Sequence, residues 1–347
     1  MSTDTDLLQK VEAATTPADL FGPQDGSDQV RRRARRTHRV IATALHPDRR
    51  DPAIDAARGD AAFAKATTFF EQWSNGVEAV DDATIIGTRG IWTIGAQVGR
   101  GTVANLYAVS GGDAVVKIAR RRSSSRYLRN ERTALTRLAE LTDDERWLAP
   151  YLPRLLDTAT LRSPDGSTSE QREANVLGSL TRADGFVPLT AVQAAAPGGL
   201  DGRDWAWMQR RIIRALAAVH AIGIVHGALL PENVLIHPEE HGVVLAGWSF
   251  ATRPGRPAEG VVASQAAAYP PEVTGGVVTP ATDVAMLGAL GLAMLRPDQR
   301  VQRRFSAGLR QDAPGMRPRA ADLQGEYDEL LDRLYGPRRF RPLDLAV

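Results

Sequence analysis

The 347-residue sequence contains no cysteine, which excludes disulfide bonds and metal sites built on thiolates. It also lacks any apolar run near the roughly 20 residues that a membrane-spanning helix requires. The first ten residues are polar and acidic, without the apolar stretch of a secretory signal peptide. These absences predict a cytoplasmic protein that has no membrane partner.

Lysine and net charge are scarce as well. Only three of the 43 basic residues are lysines, so arginine carries almost all positive charge, and the formal net charge is +2. A net charge this small gives no general attraction to nucleic acid, which is therefore not expected as a partner. The basic residues are instead concentrated in residues 31–39, 120–129 and 338–341. The length, with 43% hydrophobic residues, is enough for two domains with separate cores.

Residues 1–76 have the pattern of a small helical domain. Thr16 and Pro17 supply the N-cap and the first residue of a short helix. Residues 29–45 contain neither glycine nor proline, and their apolar residues recur at helical spacing. Residues 54–73 form a further predicted helix, whose aromatic side chains lie on or near one face. The pattern therefore predicts two long helices with a proline-marked loop between them.

The loop between these helices contains His46-Pro47-Asp48, and the helix before it is rich in arginine. A basic helix, this tripeptide and a helix with aromatic residues together resemble the J-domain of DnaJ-type co-chaperones over about residues 16–75. In that family the tripeptide stimulates ATP hydrolysis by a DnaK-type chaperone, and the basic helix docks on an acidic surface. The resemblance implies that His46, Pro47 and Asp48 form the effector loop. It also implies a docking face made of Arg32, Arg35, Arg36 and Arg39.

Two other interpretations of the arginine-rich helix remain open. Its charges could form an ordinary solvated helix face, or a patch that binds nucleic acid. If the helix docks on an acidic chaperone surface, the attraction between the two proteins should weaken as salt is added.

After a predicted linker over residues 77–90, apolar and polar residues alternate around Gly99 and Gly101. A strand that ends in Lys117 follows, and Glu131 lies on the next predicted helix. The arrangement resembles the amino-terminal lobe of a protein kinase, where a glycine-rich loop covers nucleotide phosphates and a lysine pairs with a helix glutamate. The resemblance predicts an ion pair between Lys117 and Glu131. An ordinary hairpin and a surface ladder of arginine and glutamate residues are the alternatives.

Residues 224–251 contain two short apolar strands, with the loop HGALLPEN before the first and Gly-Trp-Ser after the second. Protein kinases carry His-Arg-Asp-Leu-Lys-Pro-x-Asn and Asp-Phe-Gly at these places, so the stretch resembles their catalytic and metal-binding loops. Here Ala228 stands where the catalytic aspartate accepts a proton, and Gly247 stands where an aspartate holds magnesium. Neither a methyl group nor a hydrogen atom can do this chemistry. The resemblance therefore implies a pseudokinase with no catalytic residue and no metal site.

The same resemblance assigns further roles by position. The residues that would contact a nucleotide are Gly99, Gly101, Lys117, Glu131 and Asn233. Structural roles are implied for His226, Glu272, Asp283 and Arg317. Among these, Glu272 and Arg317 would form a buried ion pair, and Asp283 would cap the backbone of the loop that contains His226. His220 is predicted to be a packed helix residue without a functional role.

The predicted fold class is multidomain, with a small all-α J-domain followed by a bilobal α+β protein-kinase-like fold. The J-domain takes residues 1–76 and the kinase-like domain takes residues 91–347. Within the latter, an antiparallel β N-lobe is predicted over about residues 91–181 and a mainly helical C-lobe over about residues 182–347. The predicted function is that of a co-chaperone that stimulates a DnaK-type ATPase, with a catalytically dead kinase-like domain as its binding module.

The predicted partners are a DnaK-type chaperone and an unidentified protein client or partner of the kinase-like domain. No cofactor is required on this hypothesis, and binding of ATP, without magnesium or with weakly held magnesium, stays open. Two alternative functions are an atypical active Ser/Thr kinase that uses ATP and a regulatory scaffold with neither activity. The combination of a J-domain with a kinase-like domain indicates a protein encoded by a bacterium or a phage.

Overall fold

The computed structural model describes residues 3–22, 28–46, 50–51, 53–75, 84–161 and 171–344. The chain divides into two compact units, residues 1–82 and residues 83–347. Each unit has its own cluster of buried apolar side chains. The N-terminal unit is helical in its described residues, whereas the C-terminal unit combines an antiparallel sheet with helices.

The described part of the N-terminal unit is built from α1 (Thr3–Ala13), α2 (Pro17–Phe21), α3 (Asp28–Leu45) and α4 (Ala56–Asn75). α2 begins where the sequence predicts a cap. The Asp19 carboxylate accepts hydrogen bonds from the backbone N–H groups of Thr15 and Thr16, at 2.8 and 2.7 Å. These hydrogen bonds lower the pKa of Asp19 to about 2, because they favour the ionised carboxylate.

The two long helices of this unit bury one face each. Ile41 and Leu45 on α3 are almost fully buried, in keeping with their helical spacing. Phe21 on α2 packs edge-on against Phe70 and Trp73 of α4, with ring centroids 5.3 and 6.1 Å apart. Because α3 buries the face that carries Ile41 and Leu45, its opposite, basic face is turned to solvent.

Six strands within the described ranges form the main sheet of the C-terminal unit. They are β1 (Thr84–Ile86), β2 (Ile91–Arg100), β3 (Ala104–Val109), β4 (Ala114–Ala119), β5 (Leu155–Leu161) and β6 (Arg172–Gly178). The strand order is β1-β2-β3-β4-β6-β5, and every neighbouring pair is antiparallel. A long helix, α5 (Ser125–Asp144), packs against this sheet and contacts β6.

β1 corrects the prediction that residues 77–90 form only a linker. Ile85 is 5% exposed and pairs with Trp92 across the hairpin. The Asp157 carboxylate on β5 fixes the following turn, since it accepts hydrogen bonds from Thr88 Oγ1 at 2.6 Å and from Trp92 Nε1 at 2.8 Å. Burial alone would raise the pKa of Asp157, but these hydrogen bonds outweigh burial and lower it. A strand of three residues is too short for a periodicity signal to reveal.

The rest of the C-terminal unit is mainly helical and carries a small antiparallel sheet. Its strands are β7 (Val187–Pro188), β8 (Val234–His237) and β9 (Gly242–Leu245), in the order β7-β8-β9. Its helices are α6 (Leu189–Ala195), α7 (Gly202–Ala221), α8 (Pro280–Met294), α9 (Arg300–Gly308) and α10 (Ala320–Tyr335). α8 is buried along almost its whole length, so it forms the centre of this part.

α7 starts at Gly202 because the side chain of the preceding residue, Asp201, accepts a hydrogen bond from the backbone N–H of Arg203 at 2.9 Å. None of the helices within the described ranges has both the length and the apolar character needed to span a membrane.

Candidate functional site

Lys117 and Glu131 form a buried ion pair between the sheet and α5. Lys117 lies on β4, and its Nζ atom is 2.6 Å from Glu131 Oε1. The two side chains are 12% and 2% exposed, respectively. Asn175 on β6 donates a second hydrogen bond to the Glu131 carboxylate at 3.0 Å. The predicted pairing is therefore confirmed, and the alternative of a surface ladder around Glu131 is wrong, because this carboxylate faces inward.

Ser249 joins this pair from the turn that follows β9. Its hydroxyl oxygen lies 3.1 Å from Lys117 Nζ. Asn130 on α5 holds the same turn, since its amide donates to the carbonyl oxygens of Ser249 and Ala251 at 3.0 and 2.6 Å. Within the described residues the ammonium group of Lys117 uses two of its three N–H donors, so one remains for a ligand.

The position of Gly247 is closed to a larger side chain. Gly247 has a left-handed backbone, with φ 78° and ψ 31°. A Cβ atom added there would lie 2.3 Å from the Cγ and Oδ1 atoms of Asn233, which is far inside contact distance. The Asn233 amide is held in this place by a 2.9 Å hydrogen bond that it donates to the carbonyl of Ala228. Asn233, predicted as a nucleotide contact, is thus hydrogen-bonded to Ala228 and lies beside Gly247.

Asp283 caps the loop that contains His226, as predicted. Its fully buried carboxylate accepts hydrogen bonds from the backbone N–H groups of His226 and Gly227, at 2.7 and 2.9 Å. His220 Nε2 lies 2.9 Å from the same carboxylate. The prediction that His220 is a mere packing residue missed this contact, because His220 precedes the loop in sequence and nothing in its spacing reveals the partner.

His226 is a structural residue with no access to solvent. Its Nε2 atom lies 2.8 Å from the carbonyl oxygen of Ala246, and its Nδ1 atom accepts a 3.2 Å hydrogen bond from the backbone N–H of Ala228. These two contacts assign the proton to Nε2. Burial lowers the pKa of His226, which favours the same neutral ring. The histidine therefore links the loop before β8 to the turn after β9 without serving as an acid or a base.

Glu272 and Arg317 form the second predicted ion pair, which is also confirmed. Arg317 Nη2 donates to Glu272 Oε2 at 3.0 Å, and a second contact joins Nη1 to Oε1. Thr282 donates to the same carboxylate at 3.0 Å. Burial alone would raise the pKa of Glu272, but the hydrogen bonds from Arg317 outweigh it and hold that pKa below its ordinary value. The pair joins the segment before α8 to the segment before α10.

Gly99 and Gly101 lie at the turn between β2 and β3. The backbone N–H of Gly101 donates to the carbonyl of Ala104 at 2.8 Å, which closes the turn. A Cβ atom at Gly101 would lie 3.2 Å from that carbonyl, whereas one at Gly99 would make only ordinary contact with Leu106. Ala104, whose carbonyl accepts this hydrogen bond, has its side chain buried. The strand that leaves this turn is paired with the strand of Lys117, since Leu106 of β3 lies opposite Lys117 of β4.

The predicted chaperone-docking arginines lie on the exposed face of α3. Their spacing of three and four residues puts all of them on one side of the helix, opposite the buried Ile41 and Leu45. Each of the four is exposed: Arg32, Arg35, Arg36 and Arg39. Arg33 is exposed as well but points about a quarter turn or more away from their centre, because successive helix residues are about 100° apart.

His46 follows the last residue of α3 and is partly buried. Its ring packs edge-on against Phe63 of α4, with centroids 5.6 Å apart, and its carbonyl accepts a hydrogen bond from the N–H of Arg50 at 2.9 Å. An ion pair of 2.7 Å between Arg50 and Asp60 ties the end of this loop to α4. Pro47 and Asp48, the other residues predicted for the effector loop, lie outside the described residues.

Within the part of the chain that is described, no group of three or more histidine, aspartate or glutamate side chains is arranged to hold a metal ion. A scan against protein-family models finds no match to this chain, and a search of curated proteins finds none either.

Proposed function

We propose that this protein is a DnaJ-type co-chaperone whose C-terminal unit is a kinase-like binding module without phosphoryl-transfer activity. The co-chaperone function is supported by the arginine face of α3. All four of its predicted docking side chains are exposed, and the helix leads directly to His46. Such a face attracts an acidic partner over a distance of about 8–10 Å at physiological salt. The partner we propose is a DnaK-type chaperone, with His46-Pro47-Asp48 as the stimulating loop.

The absence of phosphoryl transfer in the C-terminal unit is supported by the kind of contacts that this unit contains. The pairs Lys117–Glu131 and Glu272–Arg317 stabilise the fold whether or not a reaction takes place. The positions that would need carboxylates for catalysis hold Ala228 and Gly247, and Asn233 fills the space next to them. We therefore propose a J-domain joined to a pseudokinase of two lobes, which binds a protein partner, a client or a nucleotide.

The experiment for the co-chaperone function measures ATP hydrolysis by a DnaK-type chaperone in the presence of the full-length protein. Arg35→Gln/Arg36→Gln should lower the apparent affinity for the chaperone about tenfold or more, because two exposed cationic contacts are lost. Arg33→Gln, on the same helix but away from the proposed docking face, is the matched control and should act like the wild type. Stimulation should also fall as salt is raised. Equal effects of the double variant and the control would reject the docking face.

Nucleotide binding is the specific role we favour for the C-terminal unit, because Lys117 is held in place by Glu131 and Ser249 with one donor to spare. The test is the thermal stability of the full-length protein with ATP, at zero and millimolar magnesium. A stabilisation by ATP alone, absent in Lys117→Met, supports a nucleotide-binding pseudokinase. Transfer of labelled phosphate from ATP that disappears in Lys117→Met would instead establish an atypical kinase. If ATP does not stabilise the protein and the protein does not stimulate the chaperone, the remaining interpretation is a regulatory scaffold with neither activity.

A further inference from the structure

A cavity of about 600 Å³ lies in the C-terminal unit between α7, the end of α10 and the segment that follows α10. Its lining contains none of the residues discussed above as nucleotide contacts. The volume falls within the roughly 300–1,000 Å³ that small-molecule sites occupy. The cavity is therefore a candidate binding site separate from Lys117.

One face of α7 supplies a row of positive charge to this cavity. The arginines of α7 that line the cavity lie on one side of the helix, because their positions repeat at helical spacing. They are Arg203, Arg210, Arg211 and Arg214, and Trp207 lies among them. Like charges at this spacing repel and weaken a helix, so an anion in the cavity would relieve the repulsion. The segment after α10 adds three further arginines, at positions 338, 339 and 341.

The carboxylates near the cavity do not neutralise this charge. Asp328 is the one acidic residue in the described lining, and it is shared by Arg210 and Arg338. Arg341 pairs with Asp201 and Asp204, and Asp201 is also shared with Arg203 and Arg296. Seven arginines line the cavity, so these three carboxylates leave an excess of positive charge.

Three arginines of the lining have no carboxylate partner among the described residues. Arg211 donates to the hydroxyl of Tyr151 at 3.2 Å, and Arg214 lies over the ring of Trp147 at 4.1 Å. The third, Arg339, is exposed on the segment after α10. Guanidinium groups of this kind bind phosphate oxygens through paired N–H donors.

Stacked aromatic rings form one wall of the cavity. Trp207 and His241 are stacked, with ring centroids 4.1 Å apart and planes 3° from parallel, and Phe340 stacks on the other side of His241 at 4.4 Å. Trp207 Nε1 and His241 Nε2 are buried without a hydrogen-bond partner in the described structure. His241 is 7% exposed and has a left-handed backbone, with φ 57°.

We propose that this cavity binds a small phosphorylated molecule that carries at least two negative charges. Its phosphate oxygens accept hydrogen bonds from Arg211, Arg214 and Arg339, and the stacked rings form the wall beside it. The site is independent of the proposed co-chaperone function and of any nucleotide at Lys117, since it shares no residue with either.

The test is isothermal titration calorimetry of the full-length protein, with pyrophosphate as the first probe and inorganic phosphate as the second. Pyrophosphate should bind with saturation, more tightly than phosphate, and more weakly as sodium chloride is raised. Arg211→Gln/Arg214→Gln should weaken pyrophosphate binding at least tenfold, and Arg339→Gln about threefold or more. Arg339 is exposed and lacks a carboxylate partner, so its substitution leaves the fold intact even if the double variant unfolds.

Two controls separate this cavity from other cationic sites. Arg319→Gln removes an exposed arginine that pairs with Asp322 outside the cavity, and it should leave pyrophosphate binding unchanged. Lys117→Met, used where circular dichroism shows that it is folded, should keep the pyrophosphate binding that depends on Arg339. The proposal is overturned if the wild type does not bind pyrophosphate, or if the folded Lys117→Met protein no longer binds it. It is equally overturned if Arg339→Gln binds as tightly as Arg319→Gln.

Discussion

The closed environment of Gly247 predicts that restoring an aspartate there destabilises the protein. Gly247 has φ 78°, and a non-glycine residue with such a backbone costs roughly 1–2 kcal/mol. The new Cβ would also displace the Asn233 amide from its 2.9 Å hydrogen bond with Ala228. A lost hydrogen bond of this kind costs roughly 0.5–1.5 kcal/mol. Gly247→Asp should therefore lower the free energy of unfolding by about 2–3 kcal/mol.

Gly255 provides a matched control, because it has φ 79° but no atom within 4 Å of the place of an added Cβ. Gly255→Asp carries the backbone cost alone, so it should destabilise the protein by about 1 kcal/mol less than Gly247→Asp. Both values come from urea denaturation of the full-length protein followed by tryptophan fluorescence. Adding Asn233→Ala to Gly247→Asp should recover part of the loss. If Gly247→Asp costs no more than Gly255→Asp, the position is open and the reasoning is refuted.

Three further predictions concern buried carboxylates. Lys117→Met leaves Glu131 unpaired at 2% exposure, so it should cost about 3 kcal/mol in urea denaturation, and Glu131→Gln in the same chain should recover part of this loss; full additivity of the two changes would contradict the pair. The depressed pKa of Glu272 means that its pair with Arg317 stabilises the fold above the ordinary value of 4.5 and ceases to do so as pH falls through the folded value. The stability difference between the wild type and Glu272→Gln should therefore shrink between pH 6 and pH 3, and a constant difference would count against the pair. Asp157→Asn should cost about 1–3 kcal/mol, measured by thermal unfolding, because the amide cannot accept all the hydrogen bonds that fix the turn after β1.

The two pairs of charged residues could be predicted because the resemblance to protein kinases assigned a partner to each residue. Lys117 is one of only three lysines, and Glu131 lies on the next helix. Glu272 and Arg317 were matched in the same way, through a resemblance that also assigned the backbone contacts of Asp283. In each case the side chain meets its partner as the sequence predicts.

Other contacts could not be predicted, because they join residues without any shared spacing. Ser249 contacts Lys117 across 132 positions of the chain. The cavity beside α7 brings the basic segment at residues 338–341 onto His241 and the arginine row of α7, and the sequence identified only the segment itself. Such contacts depend on the packing of helices, which local patterns do not encode. The reason that β1 was missed is different, since a strand of three residues is too short to show a periodicity.

The most direct test of the proposed co-chaperone function is the steady-state ATPase rate of a DnaK-type chaperone with the full-length protein and with His46→Gln. His46 follows α3 and packs against Phe63, so its replacement changes the proposed effector loop while the buried residues of α3 stay in place. We predict that the wild type raises the ATPase rate several-fold and that His46→Gln, folded as judged by circular dichroism, does not raise it. Equal stimulation by both proteins, or none by the wild type, would contradict the proposed function.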